Sequence, residues 1–331
     1  MQHGDWRPEE LLELSGIYWK ACALHAGVKL GVFTVIGDEA TSGEVVAKRC
    51  GADPRGTTLL LNALSAMQLL SKKGNTYSTV PAARLFLSKD SGQYIGHMIM
   101  HHHHLSSSWV RLHEAVVTGR PLRKRASTED DHARESFLMA MSAIGMLAAP
   151  QIAKILDLPL RRRLLDLGGG PGTYAIHFCM AHENLEAVVF DLPTTEAFAR
   201  KTIEGFGMGE RVRFQAGDYL EDDLGAGYDV VWLSQILHGE GPEACQLIIE
   251  KAVSALEPGG AIFVHECLLD ETMACPLQPA LFSLNMLLGT PRGRSYSEGH
   301  IERMMRRAGV TKIRRLPFCG PNESGIIEGH V

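Results

Sequence analysis

The chain has 331 residues, with 33 lysines and arginines against 38 aspartates and glutamates, a formal net charge of −5. With 45% hydrophobic and 21% charged residues it reads as an ordinary globular chain, which excludes a disordered, collagen-like or low-complexity polymer. The mild acidity argues against a general nucleic-acid binder, and seven scattered cysteines without a CxxC pair argue against a disulfide framework or a zinc ribbon.

The opening MQHGDWRPEE has no basic start leading into an apolar stretch, and no segment holds 18 consecutive apolar residues. A cytoplasmic chain with no membrane partner is therefore expected. Apolar positions at three- and four-residue spacing predict helix over residues 10–35. In TSGEVVAKRCG, Thr41 or Ser42 can cap a short helix that Gly51 ends. A third helix, PRGTTLLLNALSAMQLL, opens with Pro54 in its first turn, and SKKGNTYSTV predicts a small hairpin around Gly74-Asn75. Three helices and a two-stranded wing make a winged-helix shape. A DNA reader would need cations on the third helix, but Leu59, Leu60, Leu61, Asn62 and Leu64 offer almost none, so a dimerisation or packing module is preferred.

Residues 95–150 read as further helices. In HMIMHHHH, the side chains of His97, His101 and His104 would share one helical face. No carboxylate completes a metal motif there, so no metal is expected and a pocket-lining or packing role is favoured. The Met-rich helix FLMAMSAIGML, from Phe137 to Leu147, suits a core and also an adaptable wall around a flat ligand.

From residue 160 short apolar runs alternate with helical stretches, which predicts an α/β fold with a mostly parallel sheet. KIRRLPF and SGIIEGHV have no helix between them and predict a final antiparallel hairpin at the edge. In LLDLGGGPG a strand ends in Asp166, and Gly168, Gly170 and Gly172 let the backbone approach a ligand and turn into a helix. Asp191 ends the next strand in VVFDLP, where an acid can bind both hydroxyls of a ribose. Asp218 ends the third in QAGDYL, where it can accept from an adenine amino group while Tyr219 covers the ring. All lie at carboxyl ends of parallel strands, where open α/β sheets bind ligands. With no GxxxxGK[ST] to cradle phosphates, the set fits S-adenosylmethionine (SAM) better than NAD or ATP.

These motifs resemble those of the class I SAM-dependent methyltransferases, and more closely the caffeate/acetylserotonin-type O-methyltransferase family. The likeness covers nearly the whole chain, through ALHAGVKLGVF, SWVRLHEAVVTGRP, FLMAM, LLDLGGGPG, VFDLP, GDYL, LSQILHGEGPE, EPGGAIFVHE and SGIIEGH. The resemblance implies a Rossmann-like methyltransferase sheet with an antiparallel last strand, preceded by an all-α winged-helix-like domain. It divides the chain into a dimerisation domain at residues 1–105, linking helices lining the substrate pocket at 106–155 and a SAM-binding domain at 156–331. A homodimer acting on a small, flat hydroxylated molecule follows. By the same resemblance Gly168, Gly170, Asp191, Leu192, Asp218 and Tyr219 contact SAM and Ser234 lies near it. His238 matches the general base and Glu266 the carboxylate that orients it. Phe137, Met141 and Met286 match pocket-lining positions, with Asn285, His101, His104 and His113 as candidate polar contacts.

The chain also departs from the family pattern. Gly239-Glu240 follows the histidine in place of Asp-Trp, and Gly293-Arg294-Ser295-Tyr296 replaces Gly-Arg-Glu-Arg. Ser295 thus stands where a second glutamate is usual, with Glu298 as its nearest stand-in. N- or C-methylation, non-methylating chemistry on the same fold, and a winged-helix regulator with a ligand-sensing domain are the alternatives. For O-methylation of a phenol, with a pKa about 10 against about 6.5 for free histidine, complete prior transfer of the proton costs about 5 kcal/mol. A carboxylate partner lowers that cost by stabilising the imidazolium.

Overall fold

The computed structural model describes residues 6–124, 131–156 and 158–331, and divides into two compact units, Met1–Ser106 and Ser107–Val331. In the first unit the single helix expected over residues 10–35 is three: α1 (Pro8–Gly16), α2 (Tyr18–Lys29) and α3 (Val32–Ile36). The chain turns before α3 at Gly31, whose φ of 69° is left-handed. The apolar spacing ran across these breaks because it marks surfaces to be covered rather than one continuous rod. In α1 it is not covered within the unit, where Leu11, Leu12 and Leu14 are exposed.

A two-residue strand, β1 (Thr41–Ser42), leads into α4 (Gly43–Cys50). Ser42 Oγ caps α4 by accepting from the backbone N of Val45, and Gly51 ends it at a φ of 63°. Then comes α5 (Pro54–Ala66), capped by Asp53, whose Oδ1 accepts from Gly56 N at 2.8 Å. Next are β2 (Leu70–Lys73) and β3 (Thr76–Thr79), paired with Lys73 opposite Thr76 so that Gly74-Asn75 forms the turn. The wing has three strands, not two, in the order β1-β3-β2. Two residues are too few to show the period-2 signature, so β1 left no trace in the sequence. On α5, Leu61 and Leu64 are fully buried with Val32, Phe33, Val46 and Tyr77 in the unit's core, while exposed Leu59, Ala63 and Ala66 make the outward face apolar, unlike that of a DNA reader. The unit continues through α6 (Pro81–Leu87) into α7 (Gly96–Trp109), which carries the histidine run.

The second unit opens with α8 (Leu112–Thr118) and α9 (Asp131–Ile155). By length and composition α9 could cross a membrane. In this fold Leu138, Ala140, Ala148, Ala149, Ile152 and Ala153 are buried, and the helix packs on α10 (Thr173–Ala181). The sheet strands are β4 (Arg163–Leu167), β5 (Glu186–Asp191), β6 (Val212–Ala216), β7 (Tyr228–Ser234), β8 (Leu256–Leu269), β9 (Tyr296–Ser297), β10 (Thr311–Arg315) and β11 (Ser324–His330). Between them lie α11 (Glu196–Gly205), α12 (Pro242–Ser254), α13 (Leu277–Gly289) and α14 (Glu298–Arg307).

The strand order is β10-β11-β8-β7-β4-β5-β6, with β9 paired to β8. The pairings among β4 to β8 are parallel, while β11 runs antiparallel to β8 and β10 antiparallel to β11. The expected terminal hairpin is present, but of its two strands β10 alone lies at an edge. Ile326 and Ile327 are fully buried, so β11 belongs inside the sheet, whereas the lysine and arginines of TKIRR suit a strand with one side in water. Side chains alternate across the sheet. Leu164, Val189, Trp232 and Phe263 face one core, and Leu165, Leu167, Phe190, Val231 and Val264 the other. From β4 the chain first goes to β5 and β6, then returns to the other side with β7 and β8. The direction therefore reverses between β4 and β7, where open α/β sheets form a ligand crevice at their carboxyl ends.

Candidate active site

The loop leaving β4 lies on one side of that crevice. Gly168 has a φ of 67°, and a Cβ there would stand 2.5 Å from Ile236 Cγ2, so only glycine fits. Gly170, at a φ of 55°, faces open space on its Cβ side and turns its N–H to Asp191 Oδ2 at 2.8 Å. Asp191 Oδ1 accepts from Leu192 N at 2.7 Å and from Thr195 Oγ1 at 3.0 Å. Burial raises the Asp191 carboxyl above its ordinary range, opposed by these donors. Asp218 Oδ1 accepts from Leu220 N at 2.9 Å, and Tyr219 donates its hydroxyl to Glu240 Oε1 at 3.2 Å.

Asp166 lies beneath the loop, fully buried. Its Oδ2 accepts from Ala175 N at 3.3 Å, while Oδ1 has no hydrogen-bond partner among the described residues. Burial, reinforced by neighbouring Asp191 and opposed by the Ala175 N–H, pushes this carboxyl up to about 7. An open glycine cradle, the strand-end acids and a loop without lysine suit a phosphate-free adenosine with cationic charge, which is what SAM presents.

On the next strands Ser234 Oγ meets His265 Nδ1 at 2.9 Å, and His265 Nε2 meets Ser324 Oγ at 3.0 Å. Burial pushes His265 down to about 4, so this relay is neutral near pH 7. Glu266, the adjacent residue on β8, faces the opposite side of the sheet. Beyond β7 the chain makes a short turn, Leu237–Gly239, that carries His238. Glu266 Oε2 lies 2.8 Å from His238 Nδ1, and Oε1 accepts from Leu237 N at 2.8 Å and His238 N at 3.4 Å. The carboxylate side chain is 3% exposed and the imidazole 15%. Because a carboxylate only accepts, Nδ1 carries the proton and the lone pair of the neutral ring is on Nε2. Phe282 of α13 packs edge-on against the imidazole, ring centroids 4.8 Å apart.

Met286, one helical turn beyond Phe282, is buried. Asn285 Oδ1 accepts from Arg123 Nη2 at 2.9 Å. A cavity of about 590 Å³ opens beside the turn, between Gly239–Gly241, Arg123, Pro291 and Arg292. Phe137 and Met141 are half-buried on α9. His113 is exposed at the start of α8. His101 and His104 belong to the first unit, on α7, where His103 Nε2 lies 3.3 Å from Lys29 Nζ. Among the described residues no three histidine, cysteine or acidic side chains converge to hold a metal. Ser295 is buried and donates to the carbonyl of Pro279, and Glu298 is paired with Arg315, so neither replaces a second glutamate at His238.

A model of the O-methyltransferase domain matches residues 109–311, and one of the O-methyltransferase dimerisation domain matches residues 12–89. The chain belongs to the O-methyltransferase family. It is 32% identical to 3-hydroxy-5-methyl-1-naphthoate 3-O-methyltransferase of Streptomyces sahachiroi, over 97% of this chain and 95% of that one. To the tetracenomycin polyketide synthesis 8-O-methyl transferase TcmO of Streptomyces glaucescens it is also 32% identical, covering 96% of each. The solved structure of PigF with S-adenosylhomocysteine (SAH) superposes with a TM-score of 0.89 at 28% identity, covering 98% of this chain and 100% of that one. The protein is thus a SAM-dependent O-methyltransferase whose N-terminal unit carries the family's dimerisation domain.

Sequence reading missed Phe282, Thr195 and the burial of Asp166. Phe282 lies four residues before Met286, so the helical period alone could have flagged it. Thr195 had no comparable signal.

Proposed function

We propose that this O-methyltransferase acts on a hydroxyl of a small, flat aromatic acceptor, with His238 as general base and Glu266 as the group that orients it. The observation that carries this reading is the 2.8 Å contact between His238 Nδ1 and a buried carboxylate, on a ring backed by Phe282. The substrates named for the relatives, a hydroxynaphthoate and a tetracenomycin polyketide, support the acceptor class.

When bound, SAM supplies a methyl group already activated by its sulfonium. His238 Nε2 takes the proton of the acceptor hydroxyl, and Glu266 stabilises the imidazolium through Nδ1–H. Gly168, Gly170, Asp191, Leu192, Asp218, Tyr219 and Ser234 hold the cofactor. Phe137, Met141, Asn285 and Met286 line the acceptor site. In this division residues 1–105 dimerise, 106–155 line the pocket and 156–331 bind SAM. The enzyme works in the cytoplasm as a homodimer, with no nucleic-acid or membrane partner. Exposed Leu11, Leu12, Leu14, Ile17, Tyr18 and Trp19 on and between α1 and α2 supply an apolar face for a second copy.

Calorimetry tests the cofactor residues: wild type binds SAM and SAH, and Asp191→Ala binds both at least tenfold more weakly. SAH formation with 3-hydroxy-1-naphthoate and related phenols tests the base, with His238→Ala losing about 10²–10⁴ in kcat. Undiminished turnover by that variant would remove His238 from the reaction.

A further inference from the structure

The turn that carries His238 is too short to hold itself. Leu237–Gly239 is a single 3₁₀ turn between β7 and α12, so its position depends on what grips it from outside. Glu266 grips one side through Leu237 N, His238 N and the imidazole. Two neutral side chains grip the other. Cys245, buried on α12, directs its thiol to the carbonyl of Leu237 at 3.1 Å. Tyr296, buried on β9, donates its hydroxyl to the carbonyl of Glu240 at 2.7 Å, and its oxygen lies 3.5 Å from Cys245 Sγ. Gly293 completes the contact, because a Cβ there would stand 2.5 Å from the carbonyl oxygen of His238.

Tyr296 opens β9 and reaches this turn, whereas Ser295, just before the strand, does not. Ser295 is committed to α13, its Oγ donating to Pro279 O at 2.8 Å and its backbone N to Ser283 Oγ at 3.0 Å. Burial keeps both grips protonated: it pushes the Cys245 thiol up to about 12 and the Tyr296 phenol well above its usual range. Each therefore remains a donor at any working pH, which a carboxylate could not be.

We propose that Tyr296, assisted by Cys245, is a positioning residue for the methyl-transfer reaction: it fixes the backbone of the His238 turn and so the direction in which Nε2 points. The proposal rests on His238 being the base. A displacement of the order of 1 Å at a reacting group can cost about 10²-fold in rate, so a partial loosening should cost about tenfold.

The test is Tyr296→Phe, which removes one oxygen and keeps the ring. With 3-hydroxy-1-naphthoate as acceptor, kcat should fall about tenfold while the dissociation constant of SAM stays within twofold. In histidine-labelled protein, the Nδ1–H resonance of His238 should be sharp in wild type and broadened by exchange in the variant. Cys245→Ser, which keeps a donor, should retain at least half the wild-type kcat, and Cys245→Ala should not. A Tyr296→Phe enzyme with wild-type kcat and a wild-type Nδ1–H resonance overturns the proposal. If wild type itself makes no SAH from any phenol, the functional reading fails instead, and the resonance still decides whether Tyr296 holds the turn.

Discussion

Asp166→Asn should stabilise the protein free of cofactor at neutral and alkaline pH and leave it unchanged in acid. The carboxyl is fully buried, one oxygen has no hydrogen-bond partner among the described residues, and burial raises it from 3.8 to about 7. At 1.36 kcal/mol per pH unit, ionising it in the folded chain costs about 4 kcal/mol relative to the unfolded chain. The raised group binds its proton in the folded state between pH 3.8 and about 7 while the unfolded chain has released it. Stability from this group is therefore full below pH 3.8 and is lost as pH rises through 7. His265 acts in the opposite sense. Its lowered value of about 4 makes the folded chain refuse a proton that the unfolded chain takes up below 6.5, so stability falls in acid. In wild type the two slopes oppose each other between about pH 4 and 6.5. The difference between wild type and Asp166→Asn cancels the histidine and isolates the carboxyl. Urea unfolding at fixed protein concentration, from pH 5 to pH 8.5, should show the variant's advantage growing with pH towards about 4 kcal/mol and levelling off above about pH 7. An advantage that does not change across this range would refute the argument, because it would mean the carboxyl ionises without penalty.

Gly168→Ala forces a left-handed φ on a residue with a side chain and drives its Cβ into Ile236, so it should cost about 2–4 kcal/mol in urea unfolding and weaken SAM binding in calorimetry. Replacing exposed Leu12 and Trp19 together by glutamate puts charge on the apolar face proposed for dimerisation. Light scattering at micromolar concentration should then report the 36.2 kDa monomer in place of the dimer.

The sheet and the glycine turn after β4 were legible because their signals are local. A strand ending in Asp166, glycines at fixed offsets and acids at successive strand ends all sit within a few residues of each other. The contact between His238 and Glu266 joins residues far apart in the chain, and only resemblance named the pair before the fold brought them within 2.8 Å. Other features depended on distant packing and stayed hidden. Asp166 reads as an ordinary strand-end acid until the sheet closes over it. Phe282 looks like one more core residue of α13 until the histidine turn folds against it. The replacement of Glu-Arg by Ser295-Tyr296 was visible, but the side each faces depends on β9 joining β8. The breaks between α1, α2 and α3 were masked because apolar spacing continues through them and α1 has no cover within the unit.

His265 and Glu266 are consecutive, yet one meets Ser234 and Ser324 and the other His238, from opposite sides of β8. A frame shift of this strand by a single residue would bring the carboxylate to Ser234 in one direction or the imidazole to His238 in the other, and in either case turn both groups onto the wrong side. Its partners guard against that, since β7 and β11 lock it along both flanks and β9 adds a further clasp at its far end. Insertions or deletions inside β8 should accordingly be far more harmful than substitutions of its apolar residues, because they would turn both groups away from their partners while leaving the sheet intact.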